Sequence, residues 1–377
     1  MKIVINAFSA RVGGGQTYLK HLLSRLPTTP SVQIILLAPR ALHIEPDPRI
    51  ERLYPRWPVT NPLLRTVWER FVLPTTLRRT GAEILFCPGG FIPLRVPKGC
   101  RTAVTFQNML PFSRDLVMQM PWGLQRLRNI ILKRLMLRSM ATADLTIFIS
   151  EFAKSTILQI GSVKNSVTIP HGISEDFRTA DLCMKRPRTL PAEDYLLYVS
   201  RFDIYKHHRE VVLGYAALPN ELREIYPLVL IGETNFREAS NVSALVDKLG
   251  LSKQVKILGA VDYSELPAWY KHAKLSLFAS SCENCPNILL EALASGRPVL
   301  SSNVDPMPEF GGDGILYFSP TDPATITQAI QLILDDKITE DRVAAAASQR
   351  GKKYDWAMTA QRTWSSFGEL YSTSNFV

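Results

Sequence analysis

Residues 275–301 read LSLFASSCENCPNILLEALASGRPVLS. Leu275–Phe278 and Pro298–Ser301 are apolar runs of strand length, and a helical stretch lies between them. Strand, helix, strand in that order is the unit that builds a parallel sheet, because a crossover helix carries the chain back to start a second strand in the same direction. Pro286 suits the first position of the helix and Gly296 the residue just beyond its end. The amides of Asn287, Ile288 and Leu289 then lie at an uncapped N-terminus, which attracts phosphate. Glu283 and Asn284 sit in the loop before the helix, and Glu291 lies inside it, eight residues after Glu283. Two carboxylates able to accept hydrogen bonds from hydroxyls thus flank a positive helix end. A nucleotide sugar offers that combination: ribose, diphosphate, hexose. Taken alone, the same residues fit a surface helix with two solvated glutamates equally well.

Working outward, the alternation repeats. Strands are expected at Lys2–Asn6, Gln33–Ala38, Ile84–Cys87, Thr102–Phe106, Leu145–Ile149 and Ser166–Ile169 in the first half. The second half places them at Tyr195–Val199, Leu228–Ile231, Val255–Leu258, Leu275–Phe278, Pro298–Ser301 and Ile315–Tyr317. The fold class is α/β, with two Rossmann-like doubly wound domains facing a central cleft. Polar, proline-bearing sequence over 179–194 reads as a linker, giving a first domain over 1–178 and a second over 195–354. Asp322-Pro323 is a helix start, with Ile326, Ile330 and Ile333 on one face. The tail 355–377 carries Trp356, Trp364, Phe367, Leu370 and Tyr371, and this helix is expected to return to the first domain.

The chain has 377 residues, 46% hydrophobic and 21% charged, values of a globular protein of about two domains. No window approaches the ~20 apolar residues of a membrane span. The opening apolar run is broken by Asn6, Ser9 and Arg11, so it reads as a buried strand and not a signal peptide. Five scattered cysteines fit a reducing cytoplasm better than a disulfide framework. A net charge of +10 asks for an anionic partner, which nucleic acid, acidic lipid or a phosphorylated substrate would each supply.

Two further motifs narrow the choice. Tyr198-Val199-Ser200-Arg201-Phe202-Asp203-Ile204-Tyr205-Lys206 brings Arg201 and Lys206 directly after the first strand of the second domain, where doubly wound sheets bind ligands. Together these cations can neutralise a diphosphate. After the first strand of the chain, Gly13-Gly14-Gly15 allows the backbone close to a ligand before Thr17 opens a helix. Its spacing is neither G-x-G-x-x-G nor a Walker loop, which argues against nicotinamide nucleotides.

These motifs together resemble glycosyltransferase family 4, the retaining GT-B enzymes, over nearly the whole chain. The segments Val167-Thr168-Ile169-Pro170-His171-Gly172-Ile173, Leu228–Gly232, Val255–Gly259 and Pro308-Glu309 fit the same pattern. The resemblance implies a donor-binding second domain in which Arg201 and Lys206 hold the diphosphate, Glu291 the ribose and Glu283 the hexose, with Gly232, Asn284, Asn287, Ile288 and Leu289 lining the donor. Gly13, Gly14 and Gly15 would close over the phosphates. It implies no cofactor beyond the nucleotide-sugar co-substrate, with UDP-glucose ahead of UDP-N-acetylglucosamine and GDP-mannose, and a saccharide or lipid-linked acceptor in envelope or extracellular polysaccharide synthesis. Where many members carry His-Asp, this chain has Gln107-Asn108, and His171 stands where an Asn is usual. These three become acceptor or sugar contacts; neither Gln107 nor Asn108 titrates near neutral pH, and the role of His171 stays open. The leaving phosphate would help deprotonate the acceptor, and no metal is expected because no Asp-x-Asp motif is present.

Other signals are weighed separately. Cys282 and Cys285 form a C-x-x-C pair lacking the further ligands zinc needs, and His207-His208 reads as a solvated helix start. Between Pro121 and Met140, Arg126, Arg128, Lys133, Arg134 and Arg138 interleave with Leu124, Leu127, Ile131, Leu135 and Met136. This amphipathic basic helix either packs on the first sheet or rests on anionic lipid, which would make a cytoplasmic protein peripheral at the inner membrane face. No nucleic-acid module is present. An epimerase or hydrolase on the same scaffold, and a non-catalytic sugar-binding protein, stay open as alternatives.

Overall fold

The computed structural model describes residues 1–10, 14–28, 31–92, 96–179, 186, 191 and 194–372. They form two compact units: Met1–His171 with Trp356–Val377, and Gly172–Asp355. In the first unit the strands are β1 (Lys2–Asn6), β2 (Gln33–Leu37), β3 (Ile50–Arg52), β4 (Ile84–Cys87), β5 (Arg101–Phe106), β6 (Leu145–Phe148) and β7 (Ser166–Thr168). In the second they are β8 (Leu196–Val199), β9 (Leu228–Ile231), β10 (Val255–Gly259), β11 (Leu275–Phe278), β12 (Val299–Ser302) and β13 (Leu316–Phe318).

Both sheets are parallel, and both are doubly wound. Their orders are β3-β2-β1-β4-β5-β6-β7 and β10-β9-β8-β11-β12-β13. Central strands are apolar along their length because helices cover both faces: Ile3, Val4 and Ile5 of β1 and Leu196, Leu197 and Tyr198 of β8 are fully buried. In each sheet the order reverses beside the first strand, between β1 and β4 and between β8 and β11. Loops diverge at the carboxyl ends of such a pair and leave a crevice there.

All twelve expected strands are present, with ends shifted by a residue at most. The one additional strand, β3, is the three-residue Ile-Glu-Arg at the sheet edge, too short to show a period. The expected domain boundary at residue 178 differs from the observed division after His171. Phe177 explains the difference, since its ring packs on Tyr263 and Tyr270 of the second unit with centroids 5.5 and 5.9 Å apart. The expected linker 179–194 falls almost wholly outside the described residues.

The tail helix, Trp356–Ser372, does return to the first unit. Trp356, Ala360, Trp364 and Phe367 enter the same core as Ile3, Ile5, Tyr18 and Phe86. Asp322 caps the Pro323–Asp335 helix by accepting from the amide of Ala324 at 3.0 Å, and Ile326, Ile330 and Ile333 are buried beneath it.

The Leu124–Thr142 helix departs from the expected pattern. It buries Arg126, Asn129, Met136, Ser139 and Met140, and exposes Leu124, Leu127 and Ile131. The Arg126 guanidinium lies 4.0 Å from the Trp122 ring centroid, which shelters its charge and explains how an arginine occupies the inner face. The outer face is therefore mixed, apolar and cationic together, and not simply basic.

Candidate active site

The loops after β8 and β11 converge at the switch point of the second sheet. Their backbones are tied directly, the amide of Ser281 donating to the carbonyl of Tyr205 at 2.9 Å. Across this seam Lys206 Nζ makes an ion pair and hydrogen bond to Glu283 Oε1. Both side chains are mostly buried, with 8% and 17% of their surface exposed, so Lys206, expected on the diphosphate, and Glu283, expected on the hexose, hold each other. Lys206 is locked further by Tyr198, whose hydroxyl donates to its carbonyl at 2.6 Å.

Arg201 stands at the outer side of the same loop. Its Nη2 donates to Asp203 Oδ2 at 2.8 Å, and half of its side chain remains exposed. Tyr205 also donates to Asp203, at 3.2 Å. Arg201 is thus oriented by one carboxylate while keeping donors of its five-proton fork for an anion.

The expected solvated histidine pair is built in. His207 adopts a left-handed backbone (φ 53°), an uncommon state for a residue with a side chain, and its Nε2 lies 2.8 Å from Ser281 Oγ. His208 is fully buried, stacked between Tyr198 and Phe202 at 4.7 and 4.1 Å. Burial, helped by the Lys206 charge, pulls its pKa down to about 3, so it is neutral.

The Asn287–Ala294 helix begins one residue later than expected, with Pro286 as its N-cap and Gly296 beyond its end at φ +69°. Pro286 has no side-chain acceptor to cap the first turn, and no acidic residue lies in that turn. Amides of a first helical turn have no intrahelical acceptor, so those of Ile288 and Leu289 are directed outward at the helix's positive end. Asn284 and Asn287 complete this corner, Asn284 being 4% exposed.

Glu291 lies one turn in and is buried, 7% exposed. Tyr263 donates to its Oε1 at 2.8 Å. Burial pushes the Glu291 carboxyl up to about 7, with the Tyr263 hydrogen bond pulling the other way. With Glu283 paired and Glu291 enclosed, neither glutamate is a solvated surface residue. The bland surface-helix reading is excluded.

Gly232 closes the floor of the site after β9. A Cβ there would lie 1.9 Å from the carbonyl oxygen of Ser200, so only glycine lets the two loops pass. Tyr263 and Ser281 carry no sequence signal, because each acts through a contact with a residue distant in the chain, and Tyr205 joins them through its backbone carbonyl, which accepts from Ser281.

The glycines expected to close over the donor phosphates, and the residues expected on the acceptor side, belong to the first unit. Gly14 and Gly15 are in the first turn of the Gly14–Leu23 helix, not in a loop opening at Thr17, and Gly13 lies outside the described residues. A Cβ on Gly15 would meet Gln107 Oε1 at 3.4 Å, so the helix start and the end of β5 adjoin. Gln107 Nε2 is enclosed without a hydrogen-bond partner among the described residues. Asn108 is exposed and accepts from the Leu110 amide at 3.2 Å. His171 is 3% exposed, its ring packed 5.6 Å from Tyr18 and 5.3 Å from Trp356.

Two parallel doubly wound units, the second carrying a phosphate-ready helix end at its switch point, place the chain in the GT-B class. Sucrose-phosphate synthase from Thermosynechococcus elongatus has the same fold, with a TM-score of 0.76 at 18% identity over 99% of both chains. HepE from Anabaena, solved in complex with UDP and glucose, gives 0.72 at 16% identity over 98% of this chain and 100% of that one. The description Glycosyltransferase Family 4 matches residues 12–177, and Glycosyl transferases group 1 matches residues 184–350. The chain belongs to glycosyltransferase family 4.

Among curated proteins, the O-antigen chain mannosyltransferase B of Escherichia coli is 28% identical over 231 residues, 60% of each chain. Serotype-specific mannosyltransferase WbdA of Escherichia coli is 26% identical over 240 residues, 62% of this chain and 29% of its own. Glycogen synthase of Mycobacterium tuberculosis is 32% identical over 185 residues, 48% of this chain and 43% of its own. The chain therefore spans less than two thirds of these relatives' lengths.

Proposed function

We propose that this protein transfers a hexose, with retention and without a metal, from a nucleoside diphosphate sugar to a saccharide or lipid-linked acceptor in polysaccharide synthesis. The observation that carries this reading is the Lys206–Glu283 pair beside the uncapped Asn287–Ala294 helix, with Arg201 on the outer side. The diphosphate takes the helix amides, Lys206 and Arg201. Glu291 accepts the ribose hydroxyls and Glu283 the hexose hydroxyls, Lys206 being shared between Glu283 and phosphate.

As the bond from the anomeric carbon to phosphate oxygen breaks, negative charge grows on the diphosphate. The cations and helix dipole stabilise it without rearranging. The acceptor oxygen bonds to the same face of the anomeric carbon, and its proton passes to the departing phosphate oxygen. Gln107 Nε2 has a donor to offer a sugar hydroxyl, and no proton transfer is assigned to it.

UDP-glucose is the first donor proposed, supported by the likeness to HepE in complex with UDP and glucose. A second reading, GDP-mannose, is favoured by the mannosyltransferase names of the Escherichia coli relatives. We also assign the exposed Trp122, Leu124, Leu127 and Ile131, with the exposed Arg128 and Arg134, to contact with an anionic membrane face. Among the described residues no helix is long and apolar enough to cross a membrane.

A thermal-shift screen over UDP-glucose, UDP-N-acetylglucosamine and GDP-mannose in EDTA tests the donor. Turnover of the stabilising donor is then followed with and without an acceptor extract. Turnover only with acceptor supports transfer; turnover without it means hydrolysis or epimerisation, and stabilisation without turnover means a binding protein. No stabilisation by any of the three defeats the proposal.

A further inference from the structure

The first unit contains a cavity of about 690 Å³ that has no part in the reading above. It opens between the Pro62–Phe71 helix, residues 91–92 and 96–100 between β4 and β5, and the Leu124–Thr142 helix. The β5 end of its wall is at Arg101 and Thr102, where that strand begins. Ligands of doubly wound sheets sit at the opposite, carboxyl ends of the strands, so this is not the usual site.

Among the described residues five cations line it, Arg70, Lys98, Arg101, Arg138 and Lys164, against two carboxylates, Glu69 and Asp144. Asp144 is already committed. Its Oδ2 accepts from the amide and hydroxyl of Thr102, both at 2.9 Å, and its Oδ1 lies 3.8 Å from Arg101 and 3.9 Å from Lys164. Glu69 is likewise held, accepting from Asn6 Nδ2 at 2.9 Å with Arg65 3.9 Å away. Among the described residues no carboxylate comes within 4 Å of Arg70, Lys98 or Arg138. Three cations around one hollow repel each other unless an anion joins them.

One part of the wall is apolar, Phe91, Ile92, Val96, Pro97 and Leu135, and Thr66, Thr102, Ser139 and Thr142 add hydroxyls to the rest. The amide of Ile92 donates to the buried Ser139 hydroxyl at 3.1 Å, which ties this residue to the helix. A volume of this size with an apolar wall and convergent charges is what small-molecule sites show. A bare inorganic anion would leave the apolar wall unused.

We infer that this cavity binds a phosphate monoester carried on an apolar group. The phosphate sits among Lys98, Arg138 and Arg70, and the apolar portion lies along Phe91, Ile92 and Leu135. The ester reaches it either as a free small molecule or as a lipid headgroup.

The test titrates the full chain with hexyl phosphate, inorganic phosphate and hexanol by calorimetry, and with phosphatidylcholine vesicles containing or lacking phosphatidic acid by co-sedimentation. Saturating UDP is present throughout, so that the donor site contributes nothing to the signal. Hexyl phosphate is expected to bind at least about tenfold more tightly than inorganic phosphate and hexanol. The double substitution of exposed residues, Lys98→Ser with Arg138→Ser, is expected to weaken it about tenfold or more. Binding should also fall with added salt. Hexyl phosphate bound in this way assigns a free ester. Loss of vesicle binding in the double variant, with no response to hexyl phosphate, assigns a lipid headgroup. The inference is overturned if neither probe binds saturably, or if the double variant binds both as the parent does. Donor turnover in the double variant is unchanged, so this outcome stands apart from the fate of the transferase reading.

Discussion

Replacing Glu291 by Gln separates what its carboxylate costs the fold from what it gives the ligand. The group is buried and its pKa rises from 4.5 to about 7. Between those values the folded protein keeps a proton that the unfolded chain has released, so the contribution of this group is most favourable below pH 4.5 and falls as pH rises to 7. A shift of this size corresponds to about 3 kcal/mol, fully lost by pH 8. Gln keeps the oxygen that Tyr263 bonds and never ionises. The variant should therefore match the parent in thermal melts at pH 5 and exceed it at pH 8. For a unit of this size each kcal/mol is about 2–4 °C in melting temperature. Calorimetric titration of UDP in buffers of different ionisation enthalpy supplies the second half: the parent should release a proton on binding near pH 6.5, and the variant should release none and bind about tenfold more weakly. A gap between the two proteins that is no larger at pH 8 than at pH 5 would refute the reasoning about Glu291.

Lys206→Met strands Glu283 as a mostly buried, unpaired charge and should cost about 3–5 kcal/mol in urea melts, whereas Lys206→Met with Glu283→Gln should recover most stability and no turnover. Gly232→Ala forces the Ser200 carbonyl away from a Cβ 1.9 Å distant; a loss above about 2 kcal/mol and weaker UDP binding are expected, and a parent-like melt would show that the loops yield. For His208 the sign is opposite to that of Glu291, because a histidine pKa pulled down to about 3 contributes stability above pH 6.5 that is lost as pH falls towards 3. His208→Phe, which keeps the stack between Tyr198 and Phe202, should gain stability relative to the parent at pH 5 compared with pH 7. Equal pH sensitivity in the two proteins would remove His208 from that role.

Most of the architecture could be read from the chain because its strands are parallel and covered on both faces. A continuous apolar run such as Ile-Leu-Phe-Cys at β4 then marks a strand with little ambiguity. The edge strand β3 has no such run and was missed. Phe177 marked the first domain by position but belongs to the second by packing, a fact about partners ninety residues on that spacing does not contain. At the site, Glu283, Lys206 and Glu291 were legible as residue types in suggestive order. Their present state was not: that Lys206 and Glu283 hold each other, and that Tyr263 guards Glu291, are contacts across 77 and 28 residues. The pattern of the Leu124–Thr142 helix left its inner face open, because nothing in the spacing shows that Arg126, shielded by Trp122, is buried there.

The central claim is that the corner formed by Arg201, Lys206, Glu283 and the Asn287–Ala294 helix holds a nucleoside diphosphate. Calorimetric titration of UDP, and in parallel GDP, into the full chain in EDTA addresses it directly. One of the two is expected to bind saturably with one site per chain, and Lys206→Met with Glu283→Gln, stable by the reasoning above, should abolish that binding. Absence of saturable binding by either nucleotide, or undiminished binding in the folded double variant, would contradict the account.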